Sequence, residues 1–136
     1  MRWLIETAAM QRLTAQPGAP WRDKTRDLLE RHHALQVDMR HRYGEFPVLD
    51  REFHLWIAGH LRNRFAEDFF DIVSLVFHYH YQWNRIDEHE RNHVAVGEHI
   101  GVLTALAAGE LELAQQRLRD HLRTSRESLI RSLQPQ

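Results

Sequence analysis

Apolar side chains recur along this chain at spacings of three and four, the mark of amphipathic helices. Nowhere do they recur at the spacing of two that a half-buried strand needs. The first run is "RWLIETAAMQRL", with Leu4, Ile5, Ala8, Ala9 and Leu13 at helical spacing, and "QPGAP" ends it with prolines and a glycine. A long charged helix is expected from Trp21 to about Tyr43, with Trp21, Leu28, Leu35 and Met39 on one side, and "GEFP" is expected to break it. A third helix covers about 48 to 61. Asn63 stands where it would cap a fourth, "RFAEDFFDIVSLVFHYHYQW". That segment is aromatic nearly all round, which predicts burial on more than one side, as at a subunit interface. The fifth helix runs from about Asp87 to Ala108 and stops at Gly109; the sixth is "ELELAQQRLRDHLRTSRESLIRSL". The predicted fold is all-α, an antiparallel bundle of about six helices joined by short loops.

Composition narrows the function classes. A chain of 136 residues fits one domain, 1–136, with a real core. A net charge of -1, with both signs spread along the chain, leaves no electrostatic footprint for nucleic acid. The absence of cysteine excludes disulfides and thiolate metal sites. No apolar run approaches the roughly 18 to 20 residues of a membrane span, and no signal-peptide core is evident, so no membrane partner and a cytoplasmic location are expected. Histidine is the outlier, with 11 in the chain.

Some of these histidines fall on apolar faces. In "VLDREFHLWIAGHLRN", Asp50 and His54 are four apart and share a stripe with Ile57 and Leu61. His99 follows Val96 and precedes Leu103 and Leu106 at helical spacing, and His121 follows Ala114 and Leu118 and precedes Ser125 in the same way. A buried imidazole without a partner costs about 1 to 3 kcal/mol. One aspartate and three histidines aimed at the bundle interior would satisfy one another around a single divalent cation. Nitrogen and carboxylate donors without sulfur suit Zn, Ni, Mn, Fe or Co. Spacing alone leaves a second reading open: Asp50 caps its helix or pairs with a base, and the three histidines are separately satisfied core residues.

The other histidines give less. "HERNH", His89 to His93, fits the H-E-x-x-H of zinc proteases, with His99 at the spacing of a third ligand. On one helix, however, His89 and His99 lie about 15 Å apart along the axis. The glycine of such proteases is displaced to Gly97, and no methionine follows, so His89 and His93 are expected on the surface. His78 and His80 diverge on a helix and suit aromatic packing better than joint chelation. His32 and His33, in a charged helix, are expected to be solvated.

Three stretches together resemble a known family. Asp50, Phe53, His54, Ile57 and Asn63 fit D-x-x-F-H-x-x-I-x5-N. Glu98, His99, Ala105, Gly109, Glu110, Ala114, His121 and Leu122 match a later segment in register, and "RWLIETAA" is similar to the family's opening R-x-x-[LI]-E-x-x-A. The family is the FCD domain, the C-terminal effector-binding and dimerisation domain of GntR-type bacterial transcription regulators, and the resemblance covers essentially the whole chain. It implies a divalent metal held by Asp50, His54, His99 and His121, with a small organic acid completing the coordination through its carboxylate. It points to Arg2 and Asn63 as effector-binding residues, to a homodimer, and to DNA contact only through an N-terminal winged helix-turn-helix domain absent from this chain. Arg62 and His60 stand where the family often has a glycine and a small residue. The alternatives are a helical interaction module without effector and a metal-dependent hydrolase. The hydrolase would need a general base, and Glu98, about 100° round the helix from His99, is poorly directed for it. A sensing domain rather than an enzyme is expected.

Overall fold

The chain is helical because its apolar residues fall on helical faces, and its breaks fall where backbone or side chain competes with the helix. The computed structural model describes residues 2–84 and 88–133, and at 74, 77–84, 88–89 and 132–133 the backbone alone. In chain order the helices are α1 (Arg2–Ala15), α2 (Pro20–Val37), α3 (Met39–Arg42), α4 (Phe46–Ala58), α5 (Arg64–Asn84), α6 (Glu88–Ala107) and α7 (Leu111–Leu133). Six are long, α3 is a single turn, and no strand occurs among the described residues. The expected all-α bundle is observed.

Two boundaries differ from the sequence reading. The helix expected from Trp21 to Tyr43 stops at Val37, because Asp38 leaves helical backbone at φ -121° and ψ 30°. Asp38 then starts α3: its carbonyl accepts the N–H groups of His41 and Arg42, and its carboxylate accepts from His41 Nδ1 at 2.9 Å. The break expected at "GEFP" is present as a 3-10 turn, Tyr43–Glu45, but the next helix starts at Phe46 rather than about 48, with Pro47 in its first turn, where a missing N–H leaves nothing unpaired. After Ala58 a tight 3-10 turn, Gly59–Leu61, ends at Arg62, which takes the left-handed conformation at φ +52°. The glycine that the family often carries there would adopt this backbone without strain.

Helix α7 lies against α6 and α1, α2 against α6, and α4 between α1 and α5. Their shared core contains Leu28, Leu35, Phe53, Ile57, Val96, Leu103, Leu106 and Leu118. On the α2–α4 side, Lys24 and Arg31 clamp the Glu52 carboxylate, with Arg31 Nη2 at 2.5 Å and Lys24 Nζ at 2.6 Å. The Arg31 hydrogen bonds hold that carboxyl at a pKa of about 2. The inward face of α1 keeps Ala9 and Leu13 as read but differs at its N-terminal end. Glu6, Ala9, Met10 and Leu13 point inward, whereas Leu4 is 54% exposed. A carboxylate therefore sits where an aliphatic side chain was expected.

The α6–α7 hairpin is closed by Gly109 at φ +76°. Glu110 N–H reaches Ala105 O at 2.9 Å and Gly109 N–H reaches Leu106 O at 3.0 Å, a Schellman cap. A Cβ at Gly109 would meet nothing within 4 Å. Gly109→Ala is thus expected to cost about 1 to 2 kcal/mol through backbone strain alone, read as a lower midpoint in urea with an unchanged slope. Because this turn sets the register of α6 against α7, it also fixes His99 relative to His121.

Candidate metal centre

Asp50 and His54 stand one turn apart on α4, interleaved with Leu49, Phe53 and Ile57, whose burial turns this face inward. His99 is carried inward with Val96, Val102 and Leu103 on α6, and His121 with Leu118 and Leu122 on α7. Three helices thus bring four donor atoms together. His99 Nε2 lies 3.1 Å from His121 Nε2, and His121 Nε2 lies 3.4 Å from His54 Nε2. Asp50 Oδ1 is 3.4 Å from His54 Nε2 and 3.5 Å from His99 Nε2. Donors bound at about 2.1 Å to one ion stand roughly 3.0 to 3.4 Å apart, depending on whether the angle between them is octahedral or tetrahedral. The observed separations fall in that range or at its edge.

The outward nitrogens are also engaged. His54 Nδ1 donates to Glu6 Oε1 at 2.5 Å, and His121 Nδ1 donates to Glu98 Oε1 at 3.1 Å. His99 Nδ1 lies 3.0 Å from His32 Nε2, and His32 Nδ1 in turn lies 2.6 Å from Leu28 O. Partners of this kind fix ring orientation and leave Nε2 free to ligate. Glu98 is held by Arg91 at 2.9 Å, and Arg91 also donates to Ser125 Oγ at 2.7 Å. Being so occupied, Glu98 is a support for His121 rather than a general base. Phe53 stacks on the His99 ring at 4.1 Å and meets His54 edge-on at 4.9 Å.

The electrostatics suit a cation. Burial pushes His99 well below the ordinary imidazole value, helped by the neighbouring His121 and His54. Burial likewise lowers His121, against the pull of Glu98. These are the neutral rings that a metal requires. Burial opposes a charge on His54 as well, but the Glu6 and Asp50 carboxylates outweigh it and push His54 up to about 9.

The remaining sequence candidates fall out differently. Arg2 Nε stands 3.6 Å from Glu6 Oε2, and the guanidinium lies over the Phe70 ring at 5.3 Å. Its charge is near enough to contribute to lowering the Asp50 carboxyl. Asn63 is exposed, and its Oδ1 accepts from Phe65 N–H at 2.9 Å and Ala66 N–H at 3.4 Å, the helix cap that the sequence predicts. His93 and His33 are exposed as expected, whereas His32 is fully buried, a correction to the solvated position expected for it. The readings of His78, His80 and His89 concern side chains outside the described residues.

Glu6, His32 and Arg91 were missed as functional residues, although two of them carried a signal. Glu6 lies three and four residues before Ala9 and Met10, and His32 lies between Leu28 and Leu35, in stripes that prove buried. Arg91 sits two turns before Glu98, a spacing that many surface pairs share.

Fold and site together define an all-helical domain built around a buried nitrogen and carboxylate donor set. The FCD domain family model matches residues 1–124, and the chain belongs to that family. It is similar to the probable HTH-type transcriptional regulator LgoR of Escherichia coli (strain K12), 34% identical over 134 residues, covering 98% of this chain and 44% of LgoR. The chain therefore spans less than half the length of that curated relative. No solved structure matches it significantly. It is a regulatory, effector-binding domain of the GntR type rather than an enzyme. No helix among the described residues is long and apolar enough to cross a membrane.

Proposed function

We propose that Asp50, His54, His99 and His121 hold one divalent transition metal, and that a small organic acid completes its coordination through a carboxylate. The supporting observation is the donor cluster itself. Four donor atoms linked by separations of 3.1 to 3.5 Å face one another, while all three outward imidazole nitrogens are engaged. A proton relieves one contact in such a set; a divalent ion relieves them all. An ion taking six donors keeps two positions for the acid, and Arg2, whose charge acts on the Asp50 carboxyl, would attract it. Asn63 keeps its role as helix cap in this scheme. The preference among Zn, Ni, Mn, Fe and Co is set by geometry and supply, since the donors suit each of them.

The test is calorimetric titration of chelator-treated, tag-free protein with Zn, Ni or Mn. We expect near one equivalent of binding, with about one proton released per ion at pH 7.5. The sign follows from His54, whose metal-free pKa of about 9 means that the ion must displace a proton below that value. Apparent affinity should accordingly rise with pH up to about 9, by up to about tenfold per unit. Absence of binding with every metal removes this reading. Where metal binds, small carboxylic acids titrated into the loaded protein should bind, and should not bind to the metal-free form.

Binding of the acid would serve a larger regulator. LgoR is named as an HTH-type transcriptional regulator, and from the family resemblance we propose that this domain works as a cytoplasmic homodimer alongside an N-terminal winged helix-turn-helix domain that contacts DNA. The dimer contact is assigned to α5, where Phe65, Ile72, Leu75 and Val76 are exposed, Phe65 at 84%. Phe65 lies seven residues before Ile72, and Leu75 and Val76 lie three and four after it, which puts them along one side of the helix. Ile72→Asp with Leu75→Asp is expected to convert a dimer into a folded monomer in sedimentation experiments. An unchanged dimer would move the interface elsewhere.

A further inference from the structure

We infer that Arg91, which bonds to none of the four donors, is a positioning residue of the metal centre: it holds the Glu98 carboxylate against His121 and so aims that ring at the ion, a role that rests on the metal reading above. Arg91 stands in the first turn of α6, seven residues before Glu98. Seven residues span about 10 Å along a helix axis, so the two side chains meet only if both extend along it. They do, and Arg91 Nη1 donates to Glu98 Oε1 at 2.9 Å. The same carboxylate oxygen accepts from His121 Nδ1 at 3.1 Å. The other arm of the guanidinium, Nη2, donates to Ser125 Oγ at 2.7 Å. Ser125 lies one turn past His121 on the same face of α7. His121, Glu98, Arg91 and Ser125 thus close a ring across the α6–α7 pair, with one turn of α7 as its last side.

The carboxylates behind His54 and His121 are held in different ways. Glu6, behind His54, is 0% exposed, and packing fixes it. Glu98 is 22% exposed, so water competes for its oxygens, and the restraint on it is the charged bond from Arg91, itself 11% exposed. An ion pair between free side chains on a helix surface gains little. This one is anchored at its far end to the helix that carries the ligand. The planar fork matters here, because two of its donors serve Glu98 and Ser125 at once; a lysine ammonium is a point charge on a flexible stem and would loosen one partner to keep the other. The Arg91 charge is also near enough to disfavour a positive charge on His99. By charge alone, then, removing Arg91 would strengthen the binding of a cation, whereas loss of positioning would weaken it. The sign of the change separates the two.

The test is Zn affinity, by chelator competition, in wild type, Arg91→Met, Arg91→Lys, Glu98→Ala and the Arg91→Met/Glu98→Ala double variant. Glu98→Ala should bind about 10- to 100-fold more weakly, and Arg91→Met about 10-fold, the range for loss of an outer partner. Arg91→Lys should fall between Arg91→Met and wild type. In the Glu98→Ala background, Arg91→Met should change affinity by less than about twofold, because the two side chains act as one unit. A second readout is the His121 Nδ1–H proton in Zn-loaded protein labelled with 15N at histidine. It should move upfield in Arg91→Met as its hydrogen bond loosens, while that of His54, held by Glu6, stays in place. Wild-type or tighter affinity in Arg91→Met, or losses that add in the double variant, overturns the role. If Arg91→Met does not fold, Arg91→Lys decides it by the same two readouts. A wild type that binds no metal sinks the metal reading itself, whereas a wild type and an Arg91→Met that bind Zn equally sink this role alone.

Discussion

Asp50→Ala is expected to weaken metal binding at least about a hundredfold, beyond the 10- to 100-fold that loss of an outer partner costs, while leaving the metal-free fold close to wild-type stability. Asp50 supplies the anionic atom of the four donors, with Oδ1 at 3.4 and 3.5 Å from two imidazole nitrogens. Without it, a doubly charged ion would meet three neutral rings in a buried site. Its side chain is 29% exposed, so truncation opens no sealed cavity. The same substitution removes one of the two carboxylates that favour the His54 proton, which partly offsets the loss of charge in the metal-free state. Thermal melts provide the readout. A ligand at a hundred times its Kd adds about 2.7 kcal/mol to stability. For a domain of this size that is a rise of roughly 6 to 15 °C in Tm. Wild type should show it with Zn or Ni, and Asp50→Ala should show little. Asp50→Asn keeps the shape without the charge and should fall between them. Equal shifts in all three proteins would remove Asp50 from the ligand set.

The inward placement of Asp50, His54, His99 and His121 was legible because each lies on an apolar stripe, and a stripe is a statement about direction. Their partners were harder to see. His32 falls within the Leu28 and Leu35 stripe but has another histidine beside it in a highly charged helix, and local composition suggested solvent. Glu6 presents the opposite case. The aliphatic residues of α1 suggest a face through Leu4, Ile5, Ala8, Ala9 and Leu13, of which Ala9 and Leu13 are buried, yet the helix also turns Glu6 inward, where it meets His54 from another helix 48 positions away. A contact between distant helices has no local periodicity to announce it. Asp38 and Pro47 show the same limit for boundaries. Both residues are compatible with a break or a helix start, and the outcome depends on the surrounding backbone.

Phe53→Ala is expected to cost about 3 to 5 kcal/mol, a large share of the roughly 5 to 15 kcal/mol that a domain of this kind possesses. The ring is fully buried and belongs to the same core as Leu28, Ile57 and Leu103. It also forms a wall of the site, stacking on His99 with an interplanar angle of 13° and touching His54 and His32 with its edge. Truncation would therefore loosen fold and donors together, since the space it leaves lies beside three imidazoles whose orientation the metal needs. Leu13→Ala provides the comparison. Leu13 is equally buried on α1, two turns beyond Glu6, and its loss should cost about 2 to 5 kcal/mol with far less effect on metal affinity. Chemical denaturation with and without Zn separates the two effects. Both variants should be destabilised in the metal-free state, and Zn should restore Leu13→Ala by nearly the wild-type increment but Phe53→Ala by much less. Equal restoration would make Phe53 a core residue alone. A smaller increment in Phe53→Ala would mean that the packing which holds α4 against α6 also holds the imidazoles in register.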